Sequence, residues 1–162
     1  MCESDVDALL CIFTDPRVMA AFGVAPFTRE QMERWLHRNL DHQAAFGYGL
    51  FSVILKAEER LIGDCGLERM EADGAAVDEL GYDFRSDYWN QGYATEAVLG
   101  LIDYARWLGI PSLLADTFPS NPASARVLAK AGFVSSGMVQ INLPLRGGLR
   151  ELERHVIELK PD

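Results

Sequence analysis

The chain has 162 residues, 49 % of them hydrophobic, and a formal net charge of −9. That length implies a single domain, 1–162, able to bury roughly 70 % of the surface its unfolded chain exposes. No apolar run approaches the ~18 residues of a membrane span and no leader pattern opens the chain, so a soluble cytoplasmic protein with no membrane partner is expected. The acidic balance disfavours nucleic acid and suits a cationic partner such as an amine. Cys2, Cys11 and Cys65 have no metal-ligand spacing, and an odd count argues against a disulfide framework. His37, His42 and His155 are scattered, so no metal is expected.

Ser4-Asp5-Val6-Asp7 reads as a capping box opening a helix from Asp5 to about Thr14, with Val6, Leu9, Leu10 and Phe13 inward. Asp15-Pro16 breaks it, and a short helix covers Arg17 to Phe22. Thr28-Arg29-Glu30-Gln31 is a second capping box, for a helix to about Asp41 with Met32, Trp35, Leu36 and Leu40 inward. Gly49 to Leu55 is a strand apolar on both faces; a charged turn, Lys56 to Arg60, leads back along Leu61 to Leu67 as a hairpin. A turn at Glu71 to Gly74 precedes a strand from Ala76 to Phe84.

The next stretch organises the rest. After the polar turn Trp89-Asn90-Gln91-Gly92, the residues Ala94, Ala97, Val98, Leu101, Tyr104, Ala105 and Leu108 follow helical spacing, and Gly109 ends the helix. A strand, a glycine-containing loop and a helix N-terminus form a junction whose free N–H groups and dipole suit a phosphate. The loop lacks the Lys-Ser/Thr pair of a triphosphate loop and the three glycines of a dinucleotide fingerprint. Ser112 to Phe118 is a buried strand, parallel to the Ala76 strand if the helix is its right-handed crossover. Asn121 then caps a helix with Pro122 at its first position and Gly132 past its end. Phe133 to Met138 and Glu151 to Leu159 make a closing hairpin across Pro144 to Gly148.

The run Trp89-Asn90-Gln91-Gly92-Tyr93-Ala94-Thr95-Glu96-Ala97 resembles the pyrophosphate loop of the GNAT acetyltransferases, in the version of the ribosomal-protein N-terminal (Rim-type) branch. Asn121-Pro122-Ala123-Ser124 with Lys130-Ala131-Gly132-Phe133 resembles that branch's later motif. The resemblance implies an α/β (α+β) fold: a mixed, mostly antiparallel sheet with helices on both faces and a splayed parallel strand pair. It also implies acetyl-CoA as the acetyl donor and a primary amine, in this branch a protein N-terminus, as acceptor. The backbone of Gln91, Gly92, Tyr93, Ala94 and Thr95 would face the pyrophosphate. That of Tyr82, Asp83 and Phe84 would pair with the pantetheine arm, which Asn121 would also contact. Glu79 is the expected base, with Asp83 the alternative carboxylate. Ser124 is expected near the coenzyme sulfur. Many family members have a proton-donating tyrosine in the later helix, but Leu128 stands at that position here. Arg126 and Lys130 are as well read as a solvated helix face as phosphate contacts, and Glu96 as a charge favouring the helix dipole.

Two alternatives remain at this level: acetylation of a small-molecule amine, and a non-catalytic acyl-CoA-binding regulatory domain. Proteins resembling this one begin with a strand before the first helix, whereas Met1 to Glu3 is too short for one. The Gly49 to Leu55 strand has no proline or inward charge to guard an edge. An exposed edge is therefore expected there, or one borrowed from another chain, as in a homodimer.

Overall fold

The computed structural model describes residues 1–23, 25–72, 74–143 and 148–159. Three of its helices start where a short polar side chain accepts from a free N–H group. Asp15 caps α2 (Pro16–Phe22), with Pro16 in the first turn, and Thr28 with Gln31 forms the expected capping box of α3 (Arg29–Phe46). The box expected at Ser4 does not form. Glu3–Asp5 is instead a 3-10 turn in which Asp5 Oδ2 accepts from Cys2 N at 2.8 Å, and α1 runs from Val6 to Phe13. α3 continues past Asp41 because its last turns are tied to the first strand. Gln43 Nε2 donates to Leu50 O at 2.7 Å, His42 Nδ1 lies 2.9 Å from Tyr48 O, and Gly47 ends the helix with φ of +78°.

Six strands follow the helical start: β1 (Leu50–Leu55), β2 (Arg60–Ala72), β3 (Ala75–Phe84), β4 (Ser112–Thr117), β5 (Val134–Leu143) and β6 (Gly148–Glu158). They form one sheet in the order β1-β2-β3-β4-β6-β5, antiparallel except for β3 and β4. α4 (Tyr93–Trp107) is the crossover between those two, and α5 (Pro122–Lys130) follows β4. The expected fold class is what is seen. β2 and β5 are longer than their apolar patterns suggested, because both continue as twisted hairpin arms whose outer residues face water. The tip expected at Pro144 to Gly148 lies outside the described residues up to 147.

Alternation along the strands sends side chains to two cores. Leu67, Leu80 and Leu113 meet Val98 and Leu101 of α4 and Leu128 of α5 on one face. Leu50 and Leu61 meet Leu9, Ile12 and Phe13 of α1, with Met32, Trp35 and Leu36 of α3, on the other. Asn39 is fully buried between them, its Oδ1 accepting from Leu50 N at 2.8 Å and its Nδ2 donating to Leu50 O at 3.0 Å. This amide supplies to the start of β1 the pair of bonds a neighbouring strand would give. β1 is the end strand of the sheet.

Candidate active site

β3 and β4 are in register only at Glu79 and Leu114; beyond that rung they part. The chain leaves the carboxyl end of each strand and turns into α4 or α5, so both helix N-termini flank the opening. Crevices outside the carboxyl ends of diverging parallel strands are where open α/β sheets bind ligands.

The loop into α4 is held by its own side chains and by two residues at the start of α2. Trp89 donates its indole N–H to Phe84 O at 2.8 Å. Gln91 Nε2 closes the turn on Asp87 O at 3.0 Å. Arg17 Nη2 bridges Asp15 at 3.1 Å and Asp87 at 3.0 Å, while Ser86 Oγ donates to Asp15. Asn90 and Gly92 take φ of +60° and +92°, the left-handed conformation that asparagine tolerates and glycine adopts freely. Of helices α2 to α5, α4 alone has no side chain accepting from its first-turn N–H groups. The first turn at Tyr93, Ala94 and Thr95 is therefore open to an anion, and the space beside Gly92 is clear. These residues fit a pyrophosphate group.

Asp15 holds this loop to α2, and the Ser86 hydroxyl lowers its carboxyl from the ordinary 3.8 to about 2. A carboxylate whose pKa is depressed by folding adds stability above its unfolded pKa and loses it as pH falls toward the folded value. Asp15→Ala should cost about 1–2 kcal/mol at neutral pH through loss of the cap. Its melting temperature should also fall less steeply than that of the parent protein between pH 4 and pH 2. Parallel acid profiles would assign the effect to another carboxylate.

A cavity of about 510 Å³ lies under the opening. It brings together Glu79, Tyr82, Asp83, Asn121 and Ser124, five of the residues singled out in the sequence; residues 91–95 lie outside its wall, at the α4 N-terminus. Phe84 is buried, and its carbonyl takes the Trp89 bond. On the face toward α1–α3, the β2–β3 ladder stacks three rungs: Asp64 opposite Asp83, Gly66 opposite Gly81, and Glu68 opposite Glu79. Like charges directly opposite on a sheet are unfavourable. Of the glycine rung between them, Gly81 lines the cavity and Gly66 lies against the backbone of Gly49 and Leu50. Arg38 meets Glu68 at 3.0 Å, and Arg154 grips Asp116 at 3.0 and 2.9 Å. Five carboxylates (Asp64, Glu68, Glu79, Asp83 and Asp116) and two guanidinium groups (Arg38 and Arg69) stand among the described lining residues. Phe22, Phe27 and Trp35 close the far side. Glu68 and Asp116 are each paired with an arginine, so the basin holds both charges, with carboxylates the more numerous, against an aromatic wall.

His42 also lines the cavity, but its imidazole is a brace. Nε2 accepts from Arg69 N at 2.8 Å, which makes Nδ1 the donor to Tyr48 O. Asp78, buried, receives the Tyr48 hydroxyl and two bonds from Arg69, locking the ladder beside Glu79.

Across the opening, Asn121 Oδ1 accepts from Ser124 N at 3.2 Å, fixing the first turn of α5. The Tyr82 hydroxyl lies 2.7 Å from Ser124 Oγ and donates to Ser124 O at 3.1 Å. Three contributions escaped the sequence reading: the Trp89 indole, the Asp15–Ser86 anchor and the Tyr82 phenol. Trp89 at least stood inside a motif; the other two depend on approaches between residues 71 and 42 positions apart.

A family model described as an acetyltransferase (GNAT) domain matches residues 1–134. The chain belongs to that family. It is 30 % identical over 138 residues to the uncharacterized N-acetyltransferase p20 of Bacillus licheniformis, spanning 84 % of this chain and 77 % of that protein. Among solved structures it is similar to the ribosomal-protein-S5-alanine acetyltransferase of Vibrio fischeri, with a TM-score of 0.77 at 23 % identity over 99 % and 91 % of the two chains. It is also similar to a GNAT superfamily phosphinothricin acetyltransferase of Sinorhizobium meliloti in complex with AcCoA, with a TM-score of 0.76 at 14 % identity over 100 % and 90 %. The protein is an acetyl-CoA-dependent N-acetyltransferase, acting on an amine acceptor.

Proposed function

We propose that this enzyme acetylates a protein N-terminal α-amino group, which enters the acidic basin and meets the donor at the β3–β4 opening. The observation that carries the reading is the single cavity joining Glu79 on one side of the opening to Ser124 on the other. An α-amino group has a pKa of about 7.7–8.0, so near neutrality its ammonium form is drawn in by the carboxylates and loses its proton at small cost. Glu79 is the base, taking that proton on a carboxylate oxygen, directly or through one water. The α4 N-terminus holds the coenzyme phosphates. When bound, acetyl-CoA supplies an acetyl thioester, an acyl group on a thiolate leaving group. Ser124 donates a hydrogen bond to the departing sulfur. The Vibrio fischeri neighbour, by its description, is a ribosomal-protein-S5-alanine acetyltransferase, and a protein acceptor there supports a protein acceptor here. The aromatic wall of the cavity favours a second reading, a small-molecule amine. Acetylation of a panel of ribosomal-protein N-terminal peptides and small amines, read by thiol release, separates the two. Turnover with peptides at least about tenfold more efficient in kcat/KM supports the first, and the reverse order the second. Coenzyme binding without turnover on any amine would make the domain a regulator.

A further inference from the structure

Leu128 of α5 is buried in the core against α4, and a tyrosine hydroxyl reaches the first turn of α5 from β3. Tyr82 lies on β3 beyond the last rung shared with β4, and its side chain spans the opening to the first turn of α5. Its oxygen sits on two atoms of one residue, Ser124 Oγ at 2.7 Å and Ser124 O at 3.1 Å. Ser124 is thus fixed twice, through its main-chain N–H by Asn121 and through its side chain by Tyr82.

Building on the assignment of Ser124 to the leaving-group side, we propose that Tyr82 is its positioning residue: it sets the Ser124 rotamer and turns the serine hydroxyl into a donor for the thiolate. A phenol carries one proton. With that proton on Ser124 O, the short contact is made by the serine hydroxyl donating to the phenol oxygen. With the phenol proton turned onto Ser124 Oγ, the serine hydroxyl is free to donate elsewhere. The change is a rotation of two O–H bonds, with no heavy-atom movement. As the carbon–sulfur bond breaks, its electron pair passes to sulfur and the growing negative charge favours the second arrangement. No proton leaves either residue; the thiolate is hydrogen-bonded here and takes its proton from solvent after release. Burial raises the Tyr82 hydroxyl well above its ordinary range, so the phenol keeps its proton throughout the working pH range.

Tyr82→Phe retains the ring and removes only the hydroxyl. It should lower kcat by about 10- to 100-fold and leave KM for acetyl-CoA within about twofold. Tyr82→Phe/Ser124→Ala should be no slower than Ser124→Ala alone, because the two act as one unit. A second readout needs no turnover: the thiol pKa of bound coenzyme A, titrated by thiolate absorbance, should rise by about half a unit or more in Tyr82→Phe, as a donor to the anion is misaligned. Replacement of Tyr82 by 3-fluorotyrosine, which keeps the hydroxyl, should restore kcat and thiol pKa, and it serves if the phenylalanine variant does not fold. Unchanged kcat and thiol pKa in Tyr82→Phe, with Ser124→Ala impaired, would overturn the role of Tyr82 alone. Wild-type turnover in Ser124→Ala would overturn the reading on which it rests. Tighter coenzyme binding at unchanged kcat would make the Tyr82 contact a closed latch and overturn the proposal.

Discussion

Glu79→Gln is expected to reduce kcat for amine acetylation by about 10²- to 10⁴-fold, the usual contribution of a positioned general base. The change is nearly isosteric and removes a charge from a rung where Glu68 stands directly opposite. Folding should therefore survive it. The remaining rate should climb about tenfold per pH unit until the acceptor amine's own pKa is passed, because the variant depends on amine that arrives neutral. The parent enzyme should level off at lower pH. Thiol release measured from mildly acidic to alkaline pH gives both curves. A variant within about threefold of the parent at neutral pH would move the base to Asp83, or to no residue at all.

The largest effect on stability should come from Gly66. A Cβ there would lie 2.2 Å from Gly49 O and 2.4 Å from Leu50 Cα, both main-chain atoms with no rotamer to change. β1 would have to lift from β2 at the end where Asn39 clamps Leu50. Gly66→Ala should thus cost more than about 3 kcal/mol, beyond ordinary overpacking, because the strand and its buried amide bonds go together. Gly100→Ala is the control: it lies in α4 with no atom within 4 Å of the new methyl. It should be neutral or stabilising by up to about 1 kcal/mol. Urea denaturation of both variants decides the matter, and a Gly66→Ala midpoint close to the parent's would mean that β1 and β2 are not held as closely as described.

Local chemistry made much of this legible in the sequence. The caps at Thr28 and Asn121, the glycine turn before α4 and the helical spacing after it placed both halves of the site. Glu79, Asp83, Asn121 and Ser124 do line one cavity. Ladder register was not legible. Nothing in the strand from Leu61 to Leu67 shows that Asp64 will face Asp83 or that Gly66 will meet Gly81, since pairing depends on where the hairpin turns. The end of α3 was missed for a similar reason, because its last turns rest on backbone groups of Tyr48 and Leu50. Asp15 was readable as the end of one helix and start of another, but its tie to Ser86 and Asp87 through Arg17 belongs to the tertiary structure.

If the coenzyme phosphates sit at the uncapped start of α4, the enzyme's endurance should follow its supply of donor. On the proposed reading, the N–H groups of that turn would exchange an anionic partner for water each time the coenzyme left, and the first turn would then be the part of the helix most open to fraying. Binding to the folded state alone adds about 2.7 kcal/mol at a ligand concentration one hundred times Kd. Amide exchange at Tyr93 to Thr95 should accordingly slow when coenzyme A is added, while exchange at the Asn121-capped turn of α5 changes less. In a cell short of acetyl-CoA, the same opening would present the loop to proteases, so that enzyme abundance itself would track the acetyl-donor pool.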